Sequence, residues 1–95
     1  MRTKINREEI AAAVVEVIQG WHFDIQITEN TDFAIDIPID KATKGLYYYA
    51  IKISLEKLGY SFCDFSPKDC EDAETVKDIV DAVWDDFDPK SKRVF

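Results

Sequence analysis

Cys63, Cys70 and His22 are the only thiols and the only imidazole of the chain, and they bound its nucleophilic, redox and metal chemistry. A Cys–His pair needs a base beside the thiol and a loop that stabilises an oxyanion, and neither cysteine has such neighbours in sequence. A structural zinc site takes four Cys or His ligands, which three scattered candidates cannot supply. Without a Cys-x-x-Cys spacing, thioredoxin-type exchange is excluded. Cys63 and Cys70 could bridge in an oxidising setting, whereas a cytosolic chain would keep them as thiols. Asp81, Asp85, Asp86 and Asp88 gather negative charge near the end of the last periodic stretch, but their spacing is not that of a calcium loop. Acids there oppose the helix dipole slightly and read as solubilising charge that complements the basic tail. With no Gly-rich phosphate loop either, the expectation is a protein that is not an enzyme and holds no metal.

Ninety-five residues make one small domain that can bury roughly 60–68% of its unfolded surface without staples. Apolar residues are 46% and charged residues 33%, a soluble globular balance, and three glycines with three prolines are too few for a turn-rich sandwich. The net charge of −7 disfavours wrapping a phosphate backbone, so no nucleic-acid partner is expected. No apolar run approaches the ~20 residues that span a bilayer, and Met1-Arg2-Thr3-Lys4 is not followed by a signal-peptide core. A cytoplasmic monomer without membrane insertion is the expectation.

Helical periodicity supplies the elements that must position any site. Asn6 with Glu9 has the capping-box spacing, and Ile10, Val14, Val17, Ile18 and Trp21 form one apolar stripe up to a stop at Gly20. From His22 to Ile39 runs a long loop in which Phe23, Ile25 and Ile27 alternate with polar residues. With no partner strand, it reads as an extended segment plugging a helical core. Asp40 caps a second helix to about Leu58, with Gly59 as its breaker. Leu46, Tyr49 and Ile53 make one apolar row on it, and Tyr48, Ile51, Leu55 and Leu58 a second, as for a helix with more than one neighbour. Tyr47, Tyr48 and Tyr49 cannot share a direction at about 100° per residue, so one joins the core and another reaches the surface. Ser66-Pro67 starts a short helix to about Cys70. Thr75 with Asp78 opens a last helix whose Val76, Ile79, Val80, Val83, Trp84 and Phe87 share a face, stopped at Asp88-Pro89. The expected organisation is all-α, a four-helix bundle of three long helices and one short with a long first loop, over residues 1–88. A short basic tail, 89–95, follows. Trp21, Ile51, Leu55, Ile79, Val83 and Trp84 are expected in one core, with Phe33 plugging it from the loop.

The segment Phe65-Ser66-Pro67-Lys68-Asp69 through Ala73-Glu74-Thr75-Val76-Lys77-Asp78-Ile79-Val80-Asp81 resembles the junction of the third and fourth helices in the acyl carrier protein family. Ile27-Thr28-Glu29-Asn30-Thr31-Asp32-Phe33 is similar to the anchor segment of that family's first loop. Ser54-Leu55-Glu56-Lys57-Leu58-Gly59-Tyr60 is similar to the end of its second helix. The resemblance implies an acyl-carrier-protein-like bundle and a phosphopantetheine arm on the serine of an Asp-Ser-Leu triplet at the start of helix two. This chain departs there. Asp36, Pro38 and Asp40 follow the family's approach, but Lys41-Ala42, or Gly45-Leu46 when counted back from the helix end, stands in place of Ser-Leu. No serine precedes Ser54. Thr43 is the nearest hydroxyl, with a hindering β-branch, while Ser61 reads as a turn residue, Ser66 as a cap and Ser91 as part of the tail. No cofactor is therefore expected unless Thr43 takes 4'-phosphopantetheine.

The second departure is electrostatic. The family's second helix is generally acidic, whereas from Asp40 to Leu58 four lysines face only Asp40 and Glu56. Lys41, Lys44, Tyr48 and Lys52 are the expected docking residues, suited to a protein partner with an acidic patch. Three functional readings stand. The first is a non-enzymatic, carrier-like domain without a covalent arm that docks to a partner, for which a lipid, polyketide or peptide synthesis context is open. The second is a genuine acyl or peptidyl carrier with an unusual attachment residue. The third is an unrelated acidic helical adaptor or inhibitor.

Overall fold

A computed structural model describes residues 6–59 and 65–87. Four helices form over them: α1 Arg7–Trp21, α2 Lys41–Glu56, α3 Pro67–Glu71 and α4 Val76–Phe87. Among the described residues the only β-pairing is one isolated antiparallel bridge, Asp32 to Thr75. The all-α expectation of three long helices, one short helix and a long first loop therefore holds.

Each helix begins where a side chain can satisfy its orphan amides. Asn6 accepts from the Glu9 amide at 2.8 Å, and the Glu9 carboxylate accepts the Asn6 amide at 3.2 Å, closing a capping box on α1. Asp40 accepts the Thr43 amide at 2.8 Å and starts α2. Asp69 accepts the Ser66 amide at 2.9 Å ahead of Pro67 and starts α3. Thr75 and Asp78 exchange bonds at the head of α4, 3.2 Å from the Thr75 amide to the Asp78 carboxylate. At the far end of α2, Gly59 adopts φ +86°, a left-handed conformation open to glycine at little cost.

The core is one cluster. Ile10, Val14 and Ile18 of α1 meet Tyr47, Ile51 and Leu55 of α2 and Val76, Ile79, Val80 and Val83 of α4, with Ile27, Phe33 and Ile37 inserted from the first loop. The loop is held by backbone bonds to the start of α4: Phe33 donates to Glu74, Val76 to Thr31 and Lys77 to Glu29, at 2.8–3.1 Å. Arg7 adds a side-chain clasp, reaching Glu29 at 2.9 Å and Asp81 at 2.6 Å. The end of α1 meets the first half of α2 at Trp21 and Tyr47, while Glu9, Ala13 and Glu16 adjoin Ser54 and Lys57. The two helices therefore run antiparallel.

Several expectations are corrected. Trp21 is 44% exposed rather than buried: it is the last residue of α1, and its indole meets the Tyr47 ring in a T-shaped contact at 5.2 Å. Leu46, Tyr49 and Ile53 do not face a neighbouring helix; they point to solvent, and Leu58 is also exposed. Tyr47 takes the core position beside Ile51 and Leu55, with Tyr48 half-buried at the margin. Trp84 is partly buried. Gly20 does not stop α1, which continues to Trp21, and Phe23 lies outside the core. The expected stop at Asp88-Pro89, the tail 89–95, Ser61, Cys63 and Ser91 lie outside the described residues, as does the side chain of Phe87.

Candidate functional site

The start of α2 lies at the rim of a cleft of about 700 Å³ between the first loop, α2 and the α3–α4 junction. Its loop wall is built by Asp32, whose carboxylate accepts the amides of Ala34 and Ile35 at 2.7 and 2.9 Å, while its own amide donates to Asp36. That local turn chemistry holds a short reversal without a glycine. It leaves Ile35 projecting into water while Phe33 and Ile37 go inward. Pro38 and Ile39 continue the wall to the Asp40 cap.

Across the cleft stand Glu71, Asp72, Ala73 and Glu74. Gly45 allows this close approach of α3 to α2: a Cβ there would stand 3.0 Å from the Glu71 Oε2 and 3.1 Å from its Cγ. Lys44 donates its Nζ to the Ala73 carbonyl at 2.6 Å and sits 5.5 Å from the centre of the Phe33 ring. It stitches α2 to the loop before α4. Lys41 is mostly exposed, with its Nζ 3.5 Å from Asp72, which also pairs with Lys68 at 3.1 Å. The hydrogen bond from Lys68, with help from Lys41, holds the Asp72 carboxyl below its ordinary pKa.

Thr43 lies in the first turn of α2, half-buried. Its hydroxyl, together with its backbone amide, holds the Asp40 carboxyl below the usual carboxylate range. Its amide donates to Asp40 at 2.8 Å, so Thr43 stands inside the capped first turn rather than on an open turn ahead of it. Lys52 lies further along α2, 4.0 Å from Glu56 one turn on. Tyr48 packs its ring 5.1 Å from Phe65 and edge-on to Tyr49 at 5.0 Å. Of the expected docking residues, Lys41 and Lys44 are brought together against the acidic edge of α3, and Tyr48 and Lys52 lie one to three turns beyond. Ser54 is half-buried in the last turn of α2, at a separate groove lined by Glu9, Ala12 and Lys57.

Among the described residues, the groups best suited to nucleophilic chemistry are engaged or buried. Cys70 is a free thiol with no exposure, and burial, then the charges of Asp69 and Glu71, push it up to about 12. His22 places Nε2 2.7 Å from the hydroxyl of Tyr47, and burial pushes that phenol up to about 12. Among the described residues no group of three metal-ligating side chains occurs, and no helix is long and apolar enough to cross a membrane.

No family model, curated protein or solved structure matches the chain. The chemistry of the site must therefore be argued from its own residues.

Sequence reasoning missed two features here. The outward position of Leu46, Tyr49 and Ile53 could not be read from periodicity, because α2 carries apolar residues on nearly every side. The Gly45–Glu71 contact had a signal in the isolated glycine of a helical pattern, though not the identity of its neighbour.

Proposed function

We propose that this chain is a non-enzymatic domain of the acyl-carrier-protein-like type that docks to a protein partner through α2 and carries no covalent arm. The observation that carries this reading is the composition and bonding of the first turn of α2. A phosphopantetheine attachment site needs an unhindered primary hydroxyl on an accessible turn. Asp40, Lys41, Ala42 and Thr43 offer none, and the only hydroxyl among them is the secondary alcohol of Thr43, a half-buried residue inside the first helical turn. The residues do not fit the group, and no transfer step is assigned to them.

Docking is supported by the charge of α2. Lys41, Lys52 and Lys57 are accessible on a helix of a molecule whose net charge is −7. Tyr48 lies on the Lys41–Lys52 side, where an aromatic ring adds contact area at low entropic cost. A partner with an acidic patch fits this face.

The test is intact-mass measurement after incubation with coenzyme A and a broad-specificity phosphopantetheinyl transferase. An unchanged mass is expected. A gain of about 340 Da, lost in Thr43→Ala, would make the chain a working carrier and overturn the reading.

A further inference from the structure

We propose that His22 and Tyr47 form an acid-released latch between the end of α1 and the first half of α2, closed by a hydrogen bond from the Tyr47 hydroxyl to a neutral His22 imidazole. Tyr47 has no exposed surface, and its hydroxyl lies 2.7 Å from His22 Nε2. Among the described residues that nitrogen is the only hydrogen-bond partner of the hydroxyl. A phenol has one hydrogen to donate, and a neutral imidazole has one nitrogen that donates and one that accepts. With the hydrogen on Nε2, Tyr47 could only accept, and its own hydrogen would be buried without a partner, a costly state in a packed core. With the hydrogen on Nδ1, Nε2 accepts from Tyr47 and both groups are satisfied. The geometry therefore selects the Nδ1–H tautomer.

Protonation of His22 undoes this arrangement. An imidazolium donates from both nitrogens, so Nε2 can no longer accept from Tyr47. The reversed bond, from Nε2–H to the phenol oxygen, is charge-assisted. It nevertheless strands the hydroxyl hydrogen inside the core and holds a cation at a half-buried position. Outward rotation of His22 relieves both, because the imidazolium is hydrated and water reaches the phenol. Tyr47 is also flanked by the rings of Trp21 at 5.2 Å and Phe33 at 5.9 Å. The latch thus closes the corner where α1, the first loop and α2 meet.

The surrounding charges do not hold the imidazolium in place. On α2, Lys44 stands one turn before Tyr47, with its ammonium committed to the Ala73 carbonyl at 2.6 Å. On α3, Cys70 acts on Tyr47, but burial pushes that thiol up to about 12 and keeps it neutral wherever an imidazole titrates. On α1, the uncharged Gln19 amide donates to the carbonyls of His22 and Ile25, each at 2.7 Å. In the first loop, Asp24 is exposed, and among the described residues His22 forms no ion pair with it or with another carboxylate.

The experiment follows the full chain, with its one histidine labelled with nitrogen-15, by NMR between about pH 8 and 5.5. At the alkaline end the ring nitrogens should report the hydrogen on Nδ1, and Tyr47→Phe should relax this toward the mixture of a free imidazole. The amides of His22 and Ile27 donate to the Gln19 carbonyl and side chain at 3.1 and 3.0 Å and report the closed corner. Their hydrogen-exchange protection, corrected for intrinsic rate, should fall at least about fivefold on acidification. The amides of Ile79 and Val83 should keep theirs, which separates release of the latch from unfolding. His22→Gln, which takes no proton in this range, should lose the acid response even if Tyr47→Phe fails to fold. A hydrogen on Nε2 at about pH 8 would overturn the proposal. So would protection at His22 and Ile27 that is level with pH, or an acid loss that persists undiminished in His22→Gln.

Discussion

Gly45 decides how near α3 can come to α2. Alanine there gains about 1 kcal/mol of helix propensity, but its Cβ would stand 3.0 Å from the Glu71 carboxylate and 3.1 Å from Cγ. The Glu71 side chain is part-exposed and can turn aside, so the two effects largely offset. Gly45→Ala is expected to change stability by less than about 1 kcal/mol by urea denaturation. Gly45→Val adds branches that a side-chain rotation cannot clear and should cost about 1–3 kcal/mol, as overpacking does. A neutral valine variant would show that α3 is free to move away. Single residues are also where the sequence was most and least legible. Asn6, Asp40, Ser66 and Thr75 could be placed at helix starts because a polar side chain before an apolar period has one local use. Trp21 and Leu46 could not be placed in or out of the core, since their exposure depends on which neighbour is absent, which no local pattern encodes.

At the scale of elements, the caps make separable contributions. The capping box on α1 joins Asn6 and Glu9 in both directions, and Asn6→Ala should cost about 1 kcal/mol in urea denaturation, with Asn6→Ser near wild type. The cap on α2 adds a pH dependence. Thr43 holds the Asp40 carboxyl below its ordinary value, so the folded state releases that proton more readily than the unfolded chain. Its contribution is complete above the ordinary carboxylate pKa and disappears as pH falls through the lowered one. Asp40→Asn, which keeps the acceptor, should remove this part of the acid limb of the stability profile while leaving neutral-pH melting close to wild type. An unaltered acid limb would mean that Asp40 does not hold its cap in solution. The helices differ in how plainly they announce their buried faces. In α4 the apolar residues share one face, and Val76, Ile79, Val80 and Val83 are all buried. In α2 the run from Leu46 to Leu55 is apolar or aromatic at eight of ten positions, and packing rather than pattern selects Tyr47, Ile51 and Leu55. The first loop lies between these cases. Its alternation at Phe23, Ile25 and Ile27 anticipated an extended plug, but the decisive plugs are Ile27, Phe33 and Ile37, anchored by bonds to the start of α4.

For the molecule as a whole, the core sets an alkaline limit on stability. Tyr47 and Cys70 are both fully buried, and burial is the main reason each is pushed up to about 12. The ordinary values are 10.0 for the phenol and 9.0 for the thiol. Between about pH 9 and 12 the unfolded chain therefore gives up protons that the folded chain retains, and stability must fall as pH rises. Below about pH 9 both states hold these protons, and neither group makes a pH-dependent contribution. The urea midpoint should be level from pH 7 to about 8.5 and decline above it. Cys70→Ala will lower stability throughout by removing a buried side chain, but it should also make the alkaline decline shallower, which a cavity alone would not do. Tyrosine absorbance gives an independent readout. At least one of the four tyrosines should remain protonated past pH 11 until the protein unfolds, and Tyr47→Phe should remove that late step. In a Cys63→Ser background, the remaining thiol should react with an aromatic disulfide reagent at pH 8 only as fast as the protein opens. Rapid labelling in the fully folded protein would place Cys70 at the surface, and the proposed alkaline limit would lose one of its two sources.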